Sequence, residues 1–381
     1  MSKEWENIGN MKVLQLGKFF PIRGGVEKVM YDLMCGLSAR GVQCDMLCAA
    51  CEGESCDIKI NDNAKLITTR TLTKAKATMI SPAMIGKLRK ICNEYDVIHV
   101  HHPDPMACLA LFCSGYKGKV VLHWHSDILK QNVILKFYMP LQNWLLRRAN
   151  VIVGTSPVYL NESPHLQDVQ HKTVCLPIGI EPLPSVKEKA ELLRAHYEGK
   201  RIVFSLGRLV GYKGYEYLVD AASYLTDDYV VLIGGGGPLR GKLQAKINNA
   251  GLSDRVKLLG FLPDEVLPQY FEACDLFCMS SVWKTEAFGI VQIEAMSCGK
   301  PVVATRIPES GVSWVNEDGV SGLNADPENG KSLAEAILKV TKNEETYNKF
   351  AKGAYNRYKS LFTYEQMIDN CMKIYSGLWK K

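Results

Sequence analysis

"KVLQLGKFFPIRGGVEKVMYDLMCGLSARGVQCDMLCAA", residues 12 to 50, decides how the chain is read. Its front, "KVLQLGKFF", is a short apolar run of strand length. A Gly-Gly turn follows at Gly24 and Gly25. "VEKVMYDLMCGLSARG" then repeats its apolar residues at helical spacing and stops at Gly41, and "VQCDMLCAA" is the next strand. Strand, glycine turn, helix, strand is the βαβ unit, which demands a parallel sheet.

The pattern continues outward. "YDVIHVHH", "KVVLHWHS", "ANVIVGTS" and "KTVCLPIG" read as further strands, several apolar on both faces, with helical stretches such as 137–149 between them. Prolines cluster and charge then rises at "IGIEPLPSVKEK", which reads as a linker. A second series begins after it: "RIVFSLGRL", "YVVLIGGGG", "RVKLLGF", "DLFCMSS" and "PVVAT". At 381 residues the chain exceeds what one core usually serves. The expected fold is α/β, with two doubly wound, Rossmann-like parallel-sheet domains facing across a cleft, residues 1–185 and 186–361. The helical segment 362–381 is expected to complete the first. Ligands in such sheets bind beyond the carboxyl ends of the strands.

Composition removes several function classes. Apolar residues make up 47% and charged residues 23%, which is ordinary for a globular protein. No apolar run is long enough to span a bilayer, and "MSKEWENIGN" has no apolar signal core. Thirteen cysteines are scattered without a disulfide spacing, which predicts reduced thiols in the cytoplasm. Cys44 and Cys48 alternate with Met46 as core residues of a strand do, which favours packing over a metal site with Cys51 and Cys56. Residues 1–185 carry 21 Lys and Arg against 16 Asp and Glu, and the remainder 25 against 24. The basic excess is too small and dispersed for a nucleic-acid partner.

Candidate chemistry sits at strand ends. "WKTEAFGIVQIEAMSCGKPVVAT", residues 283–305, holds Glu286 before a glycine and Glu294 after it. Gly289 opens a helix there, and the amides of Phe288, Gly289 and Ile290 make an anion site. Carboxylates beside such a site accept hydrogen bonds from sugar or ribose hydroxyls. The competing reading is a helix start favoured by one acid, with the other solvated; spacing alone leaves both open. "SLGRLVGYKG" ends a strand with Arg208 and Lys213, suited to a diphosphate or to ordinary loop charge. Gly24 and Gly25, and "LIGGGGPLR" at 232–240, let backbone approach a ligand, but neither has dinucleotide spacing. His99, His101 and His102 alternate on a strand, so their side chains face both ways and are read as satisfied strand-end residues rather than metal ligands. His125 in "LHWHSD" sits at another strand end, as a hydrogen-bond partner for a sugar or a proton shuttle. Without an Asp-x-Asp, no carboxylate-bound magnesium is signalled, and no metal is expected.

"GGVEK", "HWHSD", "GRLVGYKG", "GGGGP" and "EAFGIVQIE" followed by "AMSCGKPVVAT" occur in an order that resembles the family 4 retaining glycosyltransferases of GT-B fold. "HWHSDILKQ", "TSPVYLNESPHL" and "GRLVGYKGYEYLVDA" look more narrowly like bacterial mannosyltransferases of O-antigen or exopolysaccharide synthesis. The resemblance implies a nucleotide-diphosphate sugar as donor, GDP-mannose ahead of a UDP-sugar, and no cofactor. Gly24 and Gly25 would approach donor phosphate and acceptor, and Arg208 and Lys213 would neutralise the diphosphate. Glu286 would hold hydroxyls of the transferred sugar, Glu294 the ribose, and the amides of Phe288, Gly289 and Ile290 sugar and phosphate. His125 would lie near the sugar's 6-hydroxyl, and "LLGFLP", with Phe261 and Leu262, at the base. The implied acceptor is a glycan or a polyprenyl-diphosphate-linked glycan at the inner face of the cytoplasmic membrane. Residues 129–148, mixing apolar and basic residues, suit either an anionic bilayer surface or a helix packed on its sheet. An epimerase of the same fold and a non-catalytic sugar-nucleotide-binding subunit are the alternatives.

Overall fold

A computed structural model describes residues 11–75, 78–128 and 132–379. Two compact units result, Met1–Ile178 with Glu365–Lys381, and Gly179–Tyr364. The break thus falls between Ile178 and Gly179, and the last helix, Tyr364–Gly377, returns to the first unit almost entirely.

In the first unit the strands are β1 (Lys12–Phe20), β2 (Gln43–Ala50), β3 (Cys56–Asn61), β4 (Ala64–Thr69), β5 (Thr73–Ala75), β6 (Thr78–Ile80), β7 (Val97–His102), β8 (Lys119–Trp124), β9 (Val151–Gly154) and β10 (Thr173–Cys175). Eight of them form one sheet in the order β10-β9-β8-β7-β1-β2-β4-β3, while β5 and β6 pair separately. All pairings in the large sheet are parallel except β3 with β4. Val13, Leu14 and Leu16 of β1 are fully buried, as are Val97 and Ile98 of β7, because helices cover both faces. Hairpin β3–β4 lacks the long apolar run of the central strands. Its outer strand is a largely exposed edge, so periodicity carries little sign of it.

The helix Gly25–Ala39 turns Val29, Met30, Leu33 and Leu37 into the sheet and ends as Gly41 takes φ +88°. Its apolar residues recur every three to four positions, so one face is core and the other is wet. Cys44 and Cys48 are fully buried in β2, where burial pushes both thiols up. They pack as strand core, as their alternation predicts.

In the second unit, β11 (Arg201–Leu206), β12 (Tyr229–Gly234), β13 (Val256–Gly260), β14 (Leu276–Cys278), β15 (Val302–Thr305) and β16 (Gly322–Ala325) form a fully parallel sheet ordered β13-β12-β11-β14-β15-β16. Val203, Val231, Leu218 and Ile337 belong to the buried cluster between this sheet and its helices. In each sheet the strand order reverses next to the first strand of the unit: β1 lies between β2 and β7, and β11 between β12 and β14. These are the topological switch points where a parallel sheet leaves a crevice at its carboxyl end. No described helix is long and apolar enough to cross a membrane.

Candidate functional site

The second unit gathers most of the candidate residues at its switch point. The loop leaving β11 carries Arg208 and Lys213, and the loop leaving β14 carries Glu286. Lys213 Nζ lies 2.5 Å from Glu286 Oε2, with both side chains 13% exposed. Ser281 Oγ donates to the same carboxylate oxygen at 3.3 Å. Burial on its own lowers the Lys213 pKa, but the Glu286 carboxylate and Tyr212 more than offset that and hold the amine above the usual lysine value. Lys213 is therefore a fixed cation at neutral pH. Arg208 stays exposed, with Nη2 3.3 Å from the Tyr212 hydroxyl.

The two loops are tied through the backbone carbonyls of Tyr212 and Lys213. Val282 N donates to Tyr212 O at 2.8 Å and Ser280 Oγ to Lys213 O at 3.0 Å. Gly214, at φ +63°, leaves no room for a side chain, since a Cβ there would sit 2.1 Å from Ser280 O. A glycine in the left-handed region is what allows the chain to turn so closely. The position of Lys213 is thus set by the main chain on both sides.

The helix Ile290–Ser297 begins directly after this loop, with Gly289 at φ +76° as its first flanking residue. A helix start supplies amide donors and the positive end of the dipole. Phe288 is buried and Ile290 partly so. Glu294 is partly buried one turn into the helix, on a different level from Glu286. The structure brings Lys213 and Glu286 into contact, with Arg208 on the same loop as Lys213 and this helix starting four residues after Glu286.

Phe261 and Leu262 follow β13, two strands away from the switch point. Leu262 packs against Gly234, whereas Phe261 is 79% exposed. A fully presented aromatic ring is costly to leave in water and fits stacking on a planar ligand.

The glycine run at 234–237 departs from its reading. A Cβ on Gly235 would lie 1.9 Å from Gly207 O, and one on Gly237 2.6 Å from Leu209 O. Those glycines serve the approach of two protein backbones, with only Gly236 opening on free space.

In the first unit, Gly24 is exposed just before the helix Gly25–Ala39, and Gly25 is exposed at its first position. Gly24 is extended at φ −156°, so its value is space and not conformation: a Cβ would meet Glu27 Oε2 at 2.7 Å. Behind the turn lies a buried charge cluster that sequence reasoning passed over. Lys18 Nζ donates to Pro103 O at 2.6 Å, and its amide donates to the Asp104 carboxylate. Burial lowers the Lys18 pKa against the pull of Asp104 and Glu27, and burial raises both carboxyls against the pull of Lys18. The available signal was a lysine at the end of an otherwise apolar strand, followed by an acid on the first turn of the next helix.

His125 is 4% exposed and stacks on His123 at 3.9 Å between ring centres. The histidines are not scattered by the pleat as expected. His99 and His101 of β7 share a face, and β8 sets His123 directly opposite His101. His102 turns the other way and stacks on Trp124 at 3.8 Å. Alternation along one strand was read correctly; pairing across two strands was missed. His99, His101 and His123 bring one ring nitrogen each within 4.8 Å of one another. Their rings are layered, at 21° between His99 and His101 and 17° between His99 and His123. Nitrogens on a tetrahedral zinc stand roughly 3.3 Å apart with lone pairs converging. His101 and His123 tilt by 32°, and His99 Nε2 and both ring nitrogens of His123 have no hydrogen-bond partner among the described residues, so the trio packs as rings at a spacing wider than a tetrahedral zinc sets. Burial lowers the pKa of all five of these histidines, to about 3 for His123, and keeps them neutral.

Comparison with known proteins bears on both units. Residues 23–182 match the family described as Glycosyltransferase Family 4, and residues 187–357 match Glycosyl transferases group 1. The chain is 31% identical over 373 residues to the O-antigen chain mannosyltransferase C of Escherichia coli, covering 97% of this chain and 99% of that one. It is 28% identical over 342 residues to the D-rhamnosyltransferase WbpZ of Pseudomonas aeruginosa, covering 89% and 88%. Among solved structures, Anabaena Alr3699/HepE in complex with UDP superposes with a TM-score of 0.76 at 22% identity, covering 96% of this chain and 100% of that one.

Proposed function

The chain belongs to the family 4 and group 1 glycosyltransferases, and on that premise we propose that it moves a hexose, with retention, from a nucleotide-diphosphate sugar to a glycan or lipid-linked glycan. Mannose from GDP-mannose is the favoured donor, supported by the 31% identity to an O-antigen mannosyltransferase over nearly the full length of both chains. A UDP-sugar is the other donor, supported by the UDP bound to a protein of the same fold. The process served is cell-surface polysaccharide synthesis.

One observation carries the reading: a lysine and a glutamate in contact at the switch point of the second unit, 2.5 Å apart, with an arginine beside them. Cleaving the sugar C1–O bond leaves an oxocarbenium-like sugar and puts negative charge on the diphosphate. Lys213 and Arg208 stabilise charge that grows in the transition state, as does the start of the helix Ile290–Ser297. No step requires a metal. Glu286 is already committed to Lys213 and Ser281. It is suited to orienting the lysine and accepting from sugar hydroxyls, and we do not assign it as a nucleophile. The acceptor hydroxyl attacks C1 from the face that the diphosphate leaves, and a leaving-group oxygen takes its proton.

The acceptor site is assigned to the first unit and the inner face of the cytoplasmic membrane. Of segment 129–148, residues 129–131 lie outside the described residues. Leu145 and Leu146 of the helix Asn132–Arg148 are buried, so that part packs on the sheet. Trp144 and the exposed Phe112 meet edge to face at 5.0 Å and are the apolar groups offered to a bilayer. Flotation with anionic liposomes at low salt tests this, and absence of binding removes the membrane from the proposal. The activity itself is tested by incubating GDP-mannose and UDP-hexoses with a glycan acceptor in chelator. Transfer from one of them with the anomeric configuration kept supports the reading; change of the donor sugar without acceptor points to an epimerase.

A further inference from the structure

Gln15 and Tyr375 are buried polar residues that the transfer step does not use. Gln15 is the fourth residue of β1, inside the sheet, and is fully buried. Tyr375 comes from the last helix, 360 residues away, and is fully buried too. The Gln15 amide nitrogen donates to the Tyr375 hydroxyl at 3.2 Å and reaches Cys44 Sγ at 3.6 Å. Its oxygen is 2.8 Å from His101 Nε2. His101 Nδ1 is in turn 2.9 Å from His125 Nε2. The Tyr375 hydroxyl is held a second time, 2.7 Å from His99 Nδ1.

Such a chain has a direction. An amide oxygen only accepts, so His101 Nε2 carries a proton. His101 is neutral in this buried layer, so its Nδ1 is bare and accepts. His125 Nε2 therefore donates, and a neutral His125 keeps its Nδ1 lone pair free of a proton. We propose that Gln15 and Tyr375, acting through His101, are positioning residues that fix His125 as the Nε2–H tautomer. His125 thereby offers Nδ1 to the substrate as a hydrogen-bond acceptor.

The consequence is a selectivity rule. A substrate hydroxyl must donate to Nδ1, so His125 reads a hydroxyl and is a poor partner for an ether or a fluorine in its place. A neutral imidazole that only accepts is also no general acid. The functional half of this inference rests on the transferase reading; the tautomer does not.

The test uses the full-length chain labelled with 15N at histidine. Long-range 15N–1H correlation at neutral pH separates a protonated ring nitrogen from a bare one. The expected spectrum shows His125 and His101 each with hydrogen on Nε2 and none on Nδ1. The reversed amide would put the hydrogen on Nδ1 of both rings, and that spectrum overturns the proposal. Gln15→Met keeps length and removes the oxygen; His125 should then lose its single tautomer, and kcat/KM should fall roughly 10-fold, the weight of one hydrogen bond. Tyr375→Phe, which frees the amide of its anchor, should do the same more weakly. A single unchanged tautomer in both variants also overturns the assignment. Inactivity of the wild-type protein toward every sugar nucleotide, with the expected spectrum intact, would instead count against the transferase reading.

Discussion

Acid should unfold the first unit well before the second. Five histidines, His99, His101, His102, His123 and His125, are at most 4% exposed on β7 and β8 and in the loop after it, with pKa values lowered by burial. In the unfolded chain each titrates near 6.5. Below that pH the unfolded state binds protons that the folded state refuses, so stability rises with pH and is lost as pH falls. The loss begins near 6.5 and continues toward the lowered values, about 3 for His123. Going from pH 7.0 to 5.5, each histidine costs on the order of 1 kcal/mol, so the five together cost several kcal/mol. Glu27, Asp32 and Asp104, whose pKa values are raised, run the other way and trim that figure. The remainder is a large share of the roughly 5–15 kcal/mol that holds a domain together. The second unit contains a single histidine, His196, and lacks this liability. Hydrogen exchange at pH 7.0 and 5.5, corrected for intrinsic rates, should show protection collapsing in β7 and β8 while β11 and β12 hold. Equal protection in β7 and β8 at both pH values would refute the reasoning.

Other perturbations address the second unit. Lys213→Ala should lower kcat by about 10²–10³ while donor affinity changes far less, because the cation acts on charge that appears in the transition state; equal losses would make it a ground-state contact. Glu286→Gln removes the group that holds up the Lys213 pKa and leaves burial to lower it, so the alkaline limb of the kcat profile should move to lower pH. Phe261→Ala should leave thermal stability within about 0.5 kcal/mol, since the ring is exposed, yet weaken nucleotide binding about 10-fold in calorimetry. Gly289→Ala should destabilise the protein by about 1–3 kcal/mol in urea, because φ is +76° and the new Cβ would sit 2.7 Å from Met279 Sδ.

The fold was legible because parallel strands buried on both faces write themselves as apolar runs, and "KVLQLGKFF" or "YVVLIG" cannot be much else. The cations at strand ends were legible for a related reason. A chain that alternates strand and helix places every residue after a strand at one edge of the sheet, so Arg208, Lys213 and Glu286 were candidates before any contact was known. What stayed hidden is what depends on neighbours distant in sequence. The meeting of His101 and His123 is set by the β7–β8 register, which no single strand reveals. Gly235 looks like a ligand-facing glycine until Gly207 O is found 1.9 Å from where its Cβ would stand. Lys18, Glu27 and Asp104 are spread over 87 positions of sequence, and only folding shows that they share one buried site.

Titration calorimetry of GDP and of UDP in excess chelator, with the wild-type protein and Arg208→Ala, tests the central claim most directly. The account predicts that one nucleotide diphosphate binds without metal and that removing Arg208 weakens it at least 10-fold, in keeping with about 1.5–3 kcal/mol for a charge-assisted contact. Binding that appears only on adding a divalent cation, or that ignores Arg208, would contradict it.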